Sequence, residues 1–74
     1  MMASFAVILV DSTSHAIRVE KVLFMESIPS KLIPVPRHLS SDCGVCVRIA
    51  GDQVKKAANI LDLNKITYKS IEAL

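Results

Sequence analysis

The sequence predicts an α+β sandwich of order β-α-β-β-α-β, with a four-stranded antiparallel sheet and two helices on one face. Short apolar, β-branched runs alternate with stretches whose apolar residues recur every three or four positions. Helix-start signals follow the first and the third of these runs. The 74 residues suffice for one small core, so we assign residues 1–74 to a single domain.

The first half of the chain predicts a strand, a helix and a second strand. The run Ala3–Val10 is almost continuously apolar, which is typical of a strand buried on both faces. A residue among positions 11–13 then caps a helix that extends to about Glu26 and ends before Pro29. The second strand is Lys31–Val35, which we expect at a sheet edge because its proline cannot donate to a ladder. The buried helix stripe is Ala16, Val19 and Leu23.

The second half predicts the remaining strands and the second helix. The strand Gly44–Ala50 alternates, with Val45, Val47 and Ile49 on one face and Cys46, Arg48 and Ala50 on the other. Asp52 is the expected N-cap of a helix, and Asn64 suits the left-handed position after its end. The last strand is Ile66–Ile71. The buried stripe of this helix is Val54, Ala57, Ala58 and Leu61.

Short connections and right-handed crossovers arrange these elements as a ferredoxin-like fold. We expect the first and third strands to form a parallel central pair. One sheet face then lacks helices, although the first strand offers it apolar side chains. An apolar open face favours a homodimer through that face, or docking to a partner.

Composition excludes several classes of function. The net charge is +2 and there are three aromatic residues, which provide no basic face or base-stacking surface for nucleic acid. No apolar run approaches the roughly 20 residues of a membrane span, and the N-terminus lacks signal-peptide features. We therefore expect a cytoplasmic protein without a cofactor, in which cysteines are reactive, metal-binding or buried rather than disulfide-bonded.

The chemistry concentrates in the loop before the third strand, around Cys43. Arg37, His38 and Arg48 are close in sequence, and a nearby cation stabilises the thiolate that attacks electrophiles. Gly44 gives the backbone conformational freedom beside the thiol. Ser40, Ser41 and loop amides are hydrogen-bond donors for a sulfur anion, whereas the adjacent Asp42 repels it. The alternative is a half-buried cysteine that acts as a small apolar residue.

Cys46 completes a Cys-x-x-Cys spacing with Cys43. If the chain is extended between them, their Cα atoms lie about 10 Å apart. A disulfide needs less than about 7 Å, so we favour Cys46 as a strand residue, with a resolving role as the alternative.

Two other chemistries use the same residues. A soft-metal site would take ligands from Cys43, Cys46, His38 and His15, although a single Cys-x-x-Cys pair is weak evidence for one. A hydrolase with Cys43 as nucleophile and His38 as base lacks an evident carboxylate to orient the histidine. We therefore assign neither a metal nor an enzymatic activity.

The sequence resembles the selenium/sulfur carrier-like family in four segments: Asp11-Ser12-Thr13-Ser14-His15-Ala16, Glu20-Lys21, Ile33-Pro34-Val35-Pro36-Arg37 and Ser40-Ser41-Asp42-Cys43-Gly44. Its members are small bacterial domains with a Ser-Thr-x-x-Ala helix start and a Pro-Arg-x-x-Ser-Ser-x-Cys-Gly loop. The resemblance covers nearly the whole chain. Cys46 is not part of the family motif.

The resemblance implies that Cys43 is the carrier cysteine of a bacterial cytosolic protein, with Arg37, Ser40, Ser41 and Gly44 at matching positions. The implied function is to take sulfur or selenium from a donor such as a cysteine desulfurase and to pass it to an acceptor protein. The rivals are a ferredoxin-like binding module without cysteine chemistry, and a copper or zinc shuttle that uses Cys43 and Cys46.

Overall fold

The computed structural model describes residues 4–37 and 44–74. The elements are β1 (Phe5–Leu9), α1 (Thr13–Met25), β2 (Ser30–Pro34), β3 (Val45–Ala50), a 3₁₀ turn (Gly51–Gln53), α2 (Val54–Leu63) and β4 (Ser70–Ala73). The strands form one antiparallel sheet of order β2-β3-β1-β4. The predicted α+β, ferredoxin-like architecture is confirmed, as is the edge position of β2.

The predicted direction of the central pair is wrong. β1 and β3 are neighbours at the centre, but they pair antiparallel, with Phe5 opposite Ala50 and Ile8 opposite Val47. The helical crossover keeps β2 parallel to β1, and the connection from β2 to β3 reverses the chain. β3 must therefore run opposite to β1.

The main core lies between the helices and one face of the sheet. The α1 side chains Ala16, Val19 and Leu23 are buried, as the stripe predicts. The buried residues of α2 are Ala57, Ile60 and Leu61, so the predicted stripe missed Ile60 and included Val54 and Ala58, which are only partly buried. The β-strand side chains packed in this core include Ala6, Ile8, Val47 and Ile49.

Both helices end in the same backbone motif. After α1, Ile28 donates its backbone N–H to the Leu23 carbonyl (2.9 Å) and Ser27 takes a left-handed φ of 63°. After α2, Ile66 donates to the Leu61 carbonyl (2.9 Å) and Lys65 has a φ of 56°. In this Schellman geometry, the residue after the left-handed one packs back on the helix. Ile28 and Ile66 are accordingly buried.

Three local predictions in the second half are wrong for identifiable reasons. Asp52 lies within the 3₁₀ turn and caps nothing with its side chain. Asn64 keeps a φ of −91° and donates its side-chain amide to the Ile60 carbonyl, while Lys65 takes the left-handed position. Ile66 closes α2 rather than starting a strand, so β4 begins four residues later than predicted, at Ser70.

The sheet face without helices differs from the sequence expectation. Its apolar centre consists of Val7, Leu9 and Cys46, which are buried within the single chain, with Ile33 and Val35 partly buried beside them. Of the β1 side chains that suggested a dimer through this face, Val7 and Leu9 are therefore already removed from water, whereas Phe5 is 45% exposed. The dimer prediction loses most of its original reason and stays untested.

Candidate functional site

The candidate site is the hairpin between β2 and β3. At its base, Val35 donates its backbone N–H to the Gly44 carbonyl (3.2 Å), directly after the pairing of Pro34 with Val45. Gly44 has a φ of 140°, which residues with a side chain rarely adopt. A Cβ on Gly44 would meet no atom within 4 Å, so backbone conformation, not space, requires a glycine here.

Several of the predicted site residues lie outside the described part of the chain. These are His38, Ser40, Ser41 and Cys43. Their assignment to the site stays a prediction. Arg37 and Gly44, which flank them in sequence, are described, and both are exposed.

The hairpin shares its end of the sheet with the start of α1. Because β1 and β3 are antiparallel, the beginning of β3 lies beside the end of β1, from which the chain enters α1 through Val10, Asp11 and Ser12. Ser12 caps this helix, its Oγ accepting the backbone N–H of His15 (3.2 Å). The free amides and aligned dipoles of a helix N-terminus create a positive local potential.

The segment before β4 reaches the same end. Lys69 donates its backbone N–H to the Leu9 carbonyl (2.7 Å), and the Thr67 hydroxyl lies 3.4 Å from His15 Nε2. His15 is thereby held at the start of α1, next to the approach to β4. Sequence reasoning missed this juxtaposition because His15 and Thr67 are 52 residues apart.

The two predicted arginines occupy different regions. Arg37 follows Val35, the residue paired with Gly44, by two positions and therefore stays near the base of the hairpin. Arg48 lies four residues along the strand from Gly44, about 13 Å at 3.3 Å per residue. Its guanidinium lies 4.3 Å from the ring centroid of Phe5, which pairs with Ala50 at the far end of β3. Among the described residues, the Arg48 guanidinium thus lies away from Gly44 at the base of the hairpin, and its predicted role beside Cys43 stays a prediction.

Cys46 is a buried strand residue. Its side chain is fully buried against Val7 and Leu9, and its Sγ makes a long contact of 4.0 Å with the Pro34 carbonyl oxygen. Burial raises the pKa of the Cys46 thiol above its ordinary value of 9.0, because desolvation disfavours the thiolate. A protonated, inaccessible thiol is a poor nucleophile and a poor metal ligand.

The described residues 4–37 and 44–74 contain no group of three or more histidine, cysteine, aspartate or glutamate side chains arranged to hold a metal ion. Of the four sequence candidates, Cys46 is buried and His15 contacts Thr67. His38 and Cys43 lie outside the described residues. Within the same described part of the chain, none of the helices has the length and apolar character needed to cross a bilayer.

The fold and the hairpin define the class: a ferredoxin-like domain with a cysteine-containing hairpin between its second and third strands. A scan of protein families matches residues 5–72 to the model described as "Putative Se/S carrier protein-like". The chain belongs to this family. Neither the curated proteins nor the solved structures give a match.

Proposed function

We propose that this protein is a sulfur or selenium carrier whose reactive group is the Cys43 thiolate. The observation that carries the proposal is the family match, which spans the whole hairpin sequence from Arg37 to Gly44. The buried state of Cys46 supports it, because Cys43 is the only other cysteine in the chain. The protein acts in the cytoplasm, where thiols stay reduced, and it transfers its cargo without turning over a substrate alone.

The loading step is a thiol exchange. The Cys43 thiolate attacks the terminal sulfur of a donor persulfide, such as that of a cysteine desulfurase. A bond forms between Cys43 Sγ and that sulfur, and the bond to the donor cysteine breaks, releasing the donor as a thiolate. Attack by an acceptor nucleophile on the outer sulfur then returns Cys43 as a thiolate. Neither step needs an external oxidant or reductant, and selenium follows the same path.

The residues around the hairpin have defined roles in this proposal. Arg37 supplies a cation near the base of the hairpin, and the start of α1 adds its positive dipole end at the same end of the sheet. Ser40, Ser41 and His38 donate hydrogen bonds to the outer sulfur. Gly44 sets the backbone turn that leads from the loop into β3. Arg48 has no role, because it stacks on Phe5.

The test is intact mass spectrometry after incubation with a cysteine desulfurase and cysteine. We expect an adduct of one sulfur atom that dithiothreitol removes, that persists in Cys46→Ala and that disappears in Cys43→Ser. We expect Arg37→Gln to slow loading about threefold, as for the loss of an exposed charge interaction. Arg18→Gln, a matched change on the exposed side of α1, should leave the rate unchanged.

Three other results would each contradict the carrier proposal or replace it. If several desulfurases leave the wild-type chain without any adduct, the carrier proposal is wrong. If Cys43→Ser also keeps every cellular phenotype and partner, the protein is a ferredoxin-like binding module. Stoichiometric binding of Cu(I) or Zn(II) that needs both cysteines would instead establish a soft-metal shuttle.

A further inference from the structure

Helix α1 also carries two large, exposed apolar side chains on its outer side. Ile17 is 51% exposed and Phe24 is 79% exposed, with Glu20 and Lys21 between them at three- and four-residue spacing. These four residues, called here the outer stripe, line a groove of about 470 Å³ together with Pro29 and Ser30. Large apolar side chains grouped on one helix face mark an interaction surface.

The groove continues into the free edge of β2. In the described part of the sheet, β2 pairs with β3 only. Val35 directs its N–H toward β3, so by strand alternation Ser30 and Leu32 direct their backbone groups outward. This edge therefore offers two N–H donors and two carbonyl acceptors, whereas Pro34 has no N–H and its carbonyl oxygen contacts Cys46 Sγ.

We propose that a second copy of this chain docks on this surface, related by a two-fold axis. Antiparallel packing of α1 on its symmetry mate, centred between residues 20 and 21, places Ile17 against Phe24 of the other copy. The same arrangement places Glu20 against Lys21 of the other copy. The outer stripe is thus complementary to itself in both size and charge, as an isologous interface requires.

The strand edges fit the same axis. Antiparallel pairing of β2 with its mate about Leu32 lets the two Leu32 residues exchange two hydrogen bonds, and it brings Ser30 opposite Pro34 of the other copy. α1 packs over both β2 and β3, and we infer that its axis lies about half a strand spacing inside β2. With strands about 4.8 Å apart, the two α1 axes then lie about 10 Å apart, which is the packing distance of two helices.

The location favours a second copy over a transfer partner. A donor or acceptor must reach the hairpin, which leaves the end of β2. Phe24, Pro29 and Ser30 lie at the opposite end, where β2 begins. The proposed strand pairing is centred on Leu32 and stops before Val35 at the base of each hairpin, so it does not use the hairpin backbone.

The test is sedimentation equilibrium of the full chain across micromolar concentrations. We expect a reversible dimer that Phe24→Ser abolishes. Glu20→Lys and Lys21→Glu should each weaken the dimer at least about 10-fold, because each brings like charges together across the axis. An equal mixture of these two variants should form a heterodimer with the wild-type affinity restored. Asp62→Lys and Lys56→Glu, matched charge reversals at exposed positions of α2, should leave the dimer unchanged.

Circular dichroism should show all these variants folded, because the altered side chains lie on the surface. A wild-type chain that stays monomeric at about 100 μM overturns the proposal, since the Kd of the dimer would then lie well above that concentration. A dimer that resists Phe24→Ser, or two charge variants that fail to rescue each other, also overturns it. A dimer lost in Arg48→Glu but kept in Phe24→Ser would place the interface on the open sheet face instead.

Discussion

The burial of Cys46 makes a quantitative prediction about thiol reactivity. In Cys43→Ser the remaining thiol has no exposed surface and lies on a central strand, packed against Val7 and Leu9. An alkylating reagent can reach it only when β3 opens, and opening a central strand requires nearly global unfolding. For a small domain with a stability of about 5 kcal/mol, alkylation should be slowed by about 10³-fold or more.

The assay is a time course of iodoacetamide labelling at pH 8, read by intact mass, with and without denaturing urea. The slowing is the ratio of the denatured to the native rate for Cys43→Ser. Cys46→Ala provides the matched control, since its one thiol is Cys43, which we expect to label within tenfold of its denatured rate. Equal native and denatured rates for Cys46 would refute the buried-strand assignment.

The raised pKa of Cys46 adds a pH dependence with a defined sign. The folded thiol keeps its proton above 9.0, the ordinary pKa that applies in the unfolded chain, so the unfolded state binds fewer protons there. The stability that comes from burying the neutral Cys46 thiol is fully present below pH 9.0, and it is lost as the pH rises through the folded pKa. Wild type should therefore lose stability relative to Cys46→Ala in that window, by at most about 1.4 kcal/mol per pH unit. Urea unfolding at pH 8 and above measures it, and parallel pH curves would contradict it.

Two backbone predictions concern the remaining positive-φ positions. Ser27→Gly and Lys65→Gly should each stabilise the fold by about 0.5–1 kcal/mol, since glycine relieves the left-handed strain. Lys55→Gly within α2 is the control, and it should lower stability by about 1 kcal/mol. Gly44→Ala should cost about 1–3 kcal/mol through its φ of 140° alone, because no atom blocks the added Cβ. Urea midpoints measure all four variants, and an unchanged midpoint for Gly44→Ala would show that the hairpin base adapts freely.

Much of the fold could be predicted from local pattern. Period-two alternation predicted that Cys46 lies on the other face of the sheet from Val45 and Val47. Three- and four-residue spacing identified the buried stripe of α1. Both signals survive folding because strand and helix geometry dictate which side chains share a face. The proline in β2 indicated an edge strand for the same local reason.

Helix ends and the last strand were less predictable. Left-handed residues are usually glycine or asparagine, so nothing local marked Ser27 or Lys65 for that conformation. Packing decided it, because Ile28 and Ile66 gain full burial only when the residue before them turns the chain back. Because Ile66 is apolar and follows α2, the sequence pattern wrongly predicted that the last strand begins there.

For the site, the sequence by itself determined the reactive candidate, Cys43, and the glycine beside it, because their meaning depends on residue type and order. Tertiary structure decided which neighbours can act with them. The antiparallel pairing of β1 with β3 places Phe5 beside Arg48, and it brings the start of α1 to the hairpin end of the sheet. The same holds for the outer stripe, since Ile17 and Phe24 became a surface only when the other side of α1, with Ala16, Val19 and Leu23, packed on the sheet. These neighbours are set by distances in space, which the order of residues does not give directly.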